Sequence, residues 1–204
     1  MESMVGGHLG ISRGVGNRGR SLHLLVMTSQ PLRDDLEKFA RRPPAEFEAA
    51  FSELSSVHQH SLVLRSVEGR WNYNCLAYAL NVHLTEDFYA VSMRSPRSYS
   101  PTGADLVSAL LLARMEEKQS SEAKEGDLLL YYDGDDWRHA GKIVSAKRAI
   151  SKWGTGPQME HELLQVPSSY GSDLRFFVQP DRELVLDLMV DVVNAHLASL
   201  EPLG

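Results

Sequence analysis

"WNYNCLAYAL", residues 71–80, decides how this sequence folds. It holds the only cysteine of a 204-residue chain. Asn74 is a good helix N-cap, because its side-chain oxygen can accept an orphan N–H of the first turn. Cys75, Leu76, Ala77, Tyr78, Ala79 and Leu80 follow as an unbroken apolar run, and a helix that is apolar all round has to be buried. The thiol is therefore expected in the first turn of a buried helix. Orphan N–H groups and the helix dipole there favour the thiolate, and the same N–H groups can bind an oxyanion. One thiol allows neither an internal disulfide nor a multi-thiolate metal site. A lone cysteine is most often an inert core residue, so a chemical role depends on finding it a base.

Upstream of this helix, "LRDDLEKFARR" puts Leu32, Leu36 and Phe39 on one helical face. Pro43-Pro44 then breaks the chain, and "AEFEAAFSEL" starts a second helix with Phe47, Phe51 and Leu54 as its stripe. "SLVLRSVEG" reads as a short strand. Downstream, residues 93–103 form a loop rich in Pro, Ser and Gly, and a helix is expected over about 104–117. Four strands follow, in "SSEAKEGDLLLYY", "DGDDWRHAGKIVS", "RAISKWG" and "DLRFFVQP", with "HELLQVPSSYG" as a loop between the last two. "DRELVLDLMVDVVNAHLASL" closes the chain as a helix, with Leu188, Val192 and Leu200 on its core face. Helices followed by a run of antiparallel strands make an α+β fold. Residues 1–30 are Gly- and Arg-rich and carry too few apolar side chains to offset their ordering entropy, so a disordered tail is expected there. Met27 opens a stretch that resembles a natural protein start. Residues 31–204 then form a single domain.

His139 is the best base for Cys75. It comes right after an acidic turn, at the start of an apolar strand that would hold its ring rigidly. Other polar groups have simpler readings. Asp127 reads as a turn residue that bonds backbone N–H groups. Asp133, Asp135 and Asp136 lack the spacing and closing Glu of a calcium loop and form a solvated hairpin tip. His58 and His60 have no further ligands converging on them and read as a helix end. Trp71, Asn72, Tyr73 and Trp153 are candidates to line a substrate cleft beside the thiol, although aromatic residues at such positions are as often core.

The order of these elements resembles the NlpC-type papain-like cysteine hydrolases. In that family a Cys opens a buried helix, a Gly-Asp turn leads a strand, and a His begins the next strand. Here Gly126-Asp127 matches the turn and His139-Ala140-Gly141-Lys142-Ile143-Val144 matches the His strand. The resemblance covers roughly residues 68–178. It is closer still to an uncharacterised bacterial family of papain-like domains, through "SKWG", His161 and Tyr170-Gly171. The resemblance implies a papain-like fold, with a helical lobe carrying Cys75 packed on an antiparallel sheet carrying His139. It also implies a third polar residue that orients His139. The matching position is Ser151, a departure from the usual His, Asn or Gln, and His161 is the second choice. A serine hydroxyl orients and charges an imidazole less well than a carboxamide or carboxylate.

The expected function is a cysteine hydrolase or transferase acting on an amide or peptide bond. Cys75 is the nucleophile and His139 the base, and no cofactor or metal is needed. The alternative is a papain-like fold without catalysis, used to bind a peptide or protein. A third reading is a structural partner that dimerises through its closing helix, although the charge pattern sets no oligomeric state. The composition, 43% hydrophobic and 24% charged with a formal net charge of -6, shows no basic face and argues against nucleic acid. No apolar run approaches the roughly 18 residues that span a membrane, and no signal peptide is evident, so a cytoplasmic location is expected.

Overall fold

The computed structural model describes residues 29–66, 73–154 and 156–200. Residues 1–28 of the expected tail (1–30), and Trp71 and Asn72, lie outside the described residues, while Gln30 at the end of that tail already belongs to a helix. Two helices, α1 (Gln30–Ala40) and α2 (Phe47–Val57), lead into strand β1 (Val63–Ser66). Helices α3 (Cys75–Ala79), α4 (Glu86–Arg94) and α5 (Ala104–Leu112) follow. The strands β2 (Glu117–Lys118), β3 (Leu128–Asp133), β4 (Asp136–Ser145), β5 (Arg148–Lys152), β6 (Gln158–Glu162) and β7 (Asp173–Phe177) come next, and α6 (Arg182–Leu200) closes the chain. The strands form one sheet in the order β1-β6-β5-β4-β3-β7-β2, and every pairing is antiparallel. The fold is α+β.

The sheet is covered on both sides, which explains why β3 is a continuous apolar run instead of an alternating one. Leu128, Leu130 and Tyr132 face a core that includes α3, Phe88 of α4, Leu106 of α5 and Val185 of α6. Leu129 and Tyr131 face the other core, against Leu32, Leu36 and Phe39 of α1 and Phe47 of α2. The sequence assigned this α1 stripe correctly.

Four expectations differ from the structure. Helix α4 lies in a stretch that carried no helix assignment, although Thr85 caps it by accepting the Phe88 N–H and Glu86 and Asp87 favour its first turn. Helix α5 ends at Leu112, five residues early, and Arg114 follows it with φ 59°. The start of "HELLQVPSSYG" belongs to strand β6, which pairs with β1 and β5. On α6 the buried stripe is Val185, Met189 and Val193, while Leu188 is half-buried and Leu200 is exposed. Nearly every residue from Leu184 to Val193 is apolar, so the composition of α6 does not fix which face turns inward. No described helix is long and apolar enough to cross a membrane.

Candidate active site

Asn74 holds the start of α3 from two directions. Its Oδ1 accepts the Ala77 N–H at 3.0 Å, and its Nδ2 donates to the Thr102 carbonyl at 2.8 Å. The cap is the one expected, and the second bond ties α3 to the 92–102 segment. That segment and the start of α3 enclose a cavity of about 730 Å³. Tyr73, Cys75, Arg138, His139, Gly154 and Tyr170 are among the residues that line it. Tyr73 was an expected cleft residue. Trp153 was another, but it does not line the cavity. It is fully buried in the α1/α2 core, edge-on to Phe39 at 6.0 Å.

The position of the thiol follows from where β4 loses a neighbour. The β4–β5 ladder begins at the Lys142–Ile150 pair, so at His139 and Ala140 strand β4 is paired only with β3. At that unpaired edge the Ala140 N–H, with those of Leu76 and Cys75, favours the Cys75 thiolate. The thiol therefore sits beside an open strand edge, packed against the core that α3 helps to form. Burial pushes it up to about 11, and those N–H groups and Lys152 only partly offset that. Burial thus works against the helix-start thiolate expected from the sequence, although the thiol is only partly buried. Helix α3 has five residues, too few for a large dipole, and desolvation outweighs its orphan N–H groups.

His139 pairs with Tyr131 across the β3–β4 ladder, so its ring shares the α1/α2 face. It stacks on Tyr170 with centroids 3.8 Å apart and planes at 16°. Burial pushes the imidazole well below its ordinary range, and nearby His161 pushes the same way. No hydrogen bond joins either ring nitrogen to Cys75, and Nε2 is buried with no partner among the described residues. Cys75 and His139 thus line one cavity as neutral groups, the thiol at the strand edge and the ring on the adjoining face.

Tyr170 is held in place by α1. Arg33 donates to the carbonyls of Val166, Pro167 and Gly171 at 3.2, 3.3 and 2.8 Å. Glu37, one turn later, accepts the Ser169 N–H at 3.2 Å. At Gly171, φ is +85° and an added Cβ would lie 2.1 Å from the Tyr132 carbonyl oxygen, so only glycine fits.

Ser151 does not orient His139. Trp153 Nε1 donates to Ser151 Oγ at 3.0 Å. His161 Nδ1 lies 2.8 Å from the Glu162 carbonyl, which can only accept, so Nδ1 carries the ring proton. His161 Nε2, 2.9 Å from Ser151 Oγ, must then accept the serine proton. The Ser151 proton is spent on His161, and His161 has no free nitrogen to offer His139. Burial lowers the His161 imidazole to about 4. This network explains why serine stands where the resemblance implies a carboxamide or imidazole.

The remaining polar expectations have structural partners. Asp127 accepts from Lys118 Nζ at 2.8 Å and from the Lys124 N–H at 2.9 Å, a turn role as read from the sequence. Asp133 and Asp136 both pair with Arg138. His58 pairs with Asp35 at 2.8 Å, and His60 lies 3.1 Å from Ser55. Among the described residues no group of three or more His, Cys, Asp or Glu is placed to hold a metal.

Residues 66–178 match the family model described as a domain of unknown function, DUF7689. The chain belongs to the DUF7689 family. The matched region holds Cys75, His139, Ser151, His161 and Tyr170, and leaves α1, α2 and α6 outside it. In this member the Arg33 and Glu37 anchors of Tyr170 therefore come from outside the DUF7689 region. No match was found among curated proteins or among solved structures. Sequence reasoning missed Tyr170 as a site residue, although Gly171 beside it signalled a tight approach. It also missed Lys152 beside the thiol, whose only sequence signal was a lysine at an inward position of β5.

Proposed function

We propose that this DUF7689 member is a cysteine hydrolase or transferase with a papain-like arrangement, acting on an amide or ester carbonyl. The observation that carries the reading is that the one thiol of the chain and a rigidly stacked imidazole line the same cavity, next to the free N–H of Ala140. Sγ attacks the carbonyl carbon as its proton passes to the His139 ring, and the carbonyl electron pair moves to oxygen. The Cys75 N–H supplies one donor to that oxygen. Tyr73 supplies a second, because its hydroxyl oxygen already accepts from Gln158 Nε2 at 3.2 Å and leaves its proton free. Collapse expels the amine or alcohol with the proton from His139 and leaves a thioester. Water or a second amine then attacks the thioester with His139 as base, and the thiol is restored. A neutral imidazole has a lone pair to take the proton, and catalytic contacts that are long without substrate tighten once it binds.

p-Nitrophenyl acetate tests this reading. The expected result is a burst of one equivalent of p-nitrophenolate at pH 7 with acetyl on Cys75, slowed about 100-fold or more in His139→Ala. Equal rates in the two proteins would remove His139 from the chemistry.

A second reading is a binding module without catalysis. The commitment of Ser151 and His161 to each other favours it, because His139 Nε2 is then left without a hydrogen-bond partner among the described residues. In that case both proteins acetylate at the slow rate of an unassisted thiol.

A further inference from the structure

Lys152 is the charged group that a Cys–His mechanism leaves unused. It ends β5 on the face that Ile150 shares with α3, opposite the face of Ser151 and Trp153. Its exposure is 0%, and lysine is almost never fully buried without a partner. Nζ donates to the Gly156 carbonyl at 2.8 Å and lies 4.9 Å from the centroid of the Tyr73 ring. Among the described residues no carboxylate pairs with it. An ammonium has three donors, and a buried one with a single acceptor and no counter-charge is costly.

The group that can supply that counter-charge is Cys75. Tyr73, under the ammonium, lies two residues before the thiol, and α3, which begins at Cys75, packs against β5, which ends at Lys152. His139 does not fill this role, since burial holds its ring neutral. We propose that the Lys152 ammonium is the counter-charge of the Cys75 thiolate, a positioning residue that sets how readily the nucleophile forms. This rests on Cys75 being the nucleophile, but the thiol reports it without any turnover. Burial brings Lys152 down to about 8, with Cys75 pulling it back up, so the ammonium loses its proton near pH 8.

The coupling has a signature that a merely structural lysine lacks. Below about pH 8 the rate of Cys75 alkylation should rise tenfold per pH unit. Above it the loss of the ammonium offsets the gain in thiolate, and the profile should flatten. The experiment is the pH–rate profile of iodoacetamide alkylation of the single cysteine, from pH 6 to 11, in wild type, Lys152→Met, Lys152→Gln and His139→Ala. Lys152→Gln keeps a donor for the Gly156 carbonyl, so it guards against a Met variant that misfolds. The expected result is a break near pH 8 in wild type and His139→Ala. In both Lys152 variants the profile should have no break, and alkylation at pH 7 should be about tenfold or more slower. A wild-type profile without a break, or one unchanged in the Lys152 variants, overturns the inference. A break with no acetylation burst would keep Lys152 in this role and sink the hydrolase reading. A burst that depends on His139 but no break would do the reverse.

Discussion

Two buried polar clusters lie within a few residues of each other, and they are built on opposite terms. In the Trp153–Ser151–His161 chain every proton has an acceptor, and the last donor ends on the Glu162 carbonyl. In the Cys75–His139–Lys152 cluster His139 Nε2 has no partner among the described residues, Lys152 has one acceptor for three donors, and the thiol is neutral against its own helix start. Buried polar groups are as a rule satisfied, and those that are not tend to mark places kept for chemistry or for a ligand. The first cluster stabilises the sheet. In the second, Cys75 and His139 line the cavity and Lys152 lies behind them, outside its lining.

The widest separation between the two should appear on acidification. His161 has an ordinary value of 6.5 and about 4 in the fold, where it is fully buried. Between those values the unfolded chain binds a proton that the folded chain refuses, so stability falls as pH drops through that window. The difference corresponds to roughly 3 kcal/mol by pH 4, and His139, also lowered, adds in the same direction. Urea denaturation at pH 7, 6, 5 and 4 measures it, and His161→Gln should flatten the slope over that range. A wild type equally stable at pH 7 and pH 4 would mean that these rings are not buried as neutral groups.

Removing Ser151 should break the satisfied cluster and leave the other intact. Ser151→Ala strands the Trp153 N–H and the His161 Nε2 in a dry core, at a cost of about 2 kcal/mol. Urea denaturation should show that loss, and the iodoacetamide profile of Cys75 should not move. A changed profile would mean that Ser151 acts on the Cys75–His139 pair after all, in the orienting role that the resemblance to papain-like enzymes implied.

How much of this was legible in the sequence follows from how local each determinant is. The Asn74 cap and apolar run of α3, the Leu32–Leu36–Phe39 stripe and the β3–β4 hairpin depend on neighbours within one or two turns, and each was read correctly. Strand β6 was not, because in "QMEHE" only Met159 and His161 are buried and its pairing with β1 comes from distant sequence. The Cys75 and His139 positions were visible as residue types, but their protonation was not. Burial decides it, and a sequence does not show how deep a side chain lies. The role of Ser151 was misassigned because strand position gives its face, while its partner depends on which neighbour on that face offers a lone pair. Lys152 ran against pattern, since a lysine at an inward strand position reads as an error in the alternation until the thiol is seen beside it.

The smallest effect concerns the joint between the unsatisfied cluster and its cavity. Asn74 does two jobs with two atoms, and substitution can separate them. Asn74→Ala loses the cap bond to Ala77 and the donor to Thr102, and should cost about 1 kcal/mol or slightly more. Asn74→Ser keeps an oxygen for the Ala77 N–H and loses only the donor to the 92–102 wall, so its stability should fall by about half as much. If Asn74 matters only as a cap, the Ser variant should alkylate Cys75 at the wild-type rate. If the wall fixes access to the thiol, Asn74→Ser should alkylate faster than wild type at every pH, with the break near pH 8 unmoved. Access scales the rate evenly, whereas the charge on Lys152 shapes its pH dependence, so the two contributions separate in one titration.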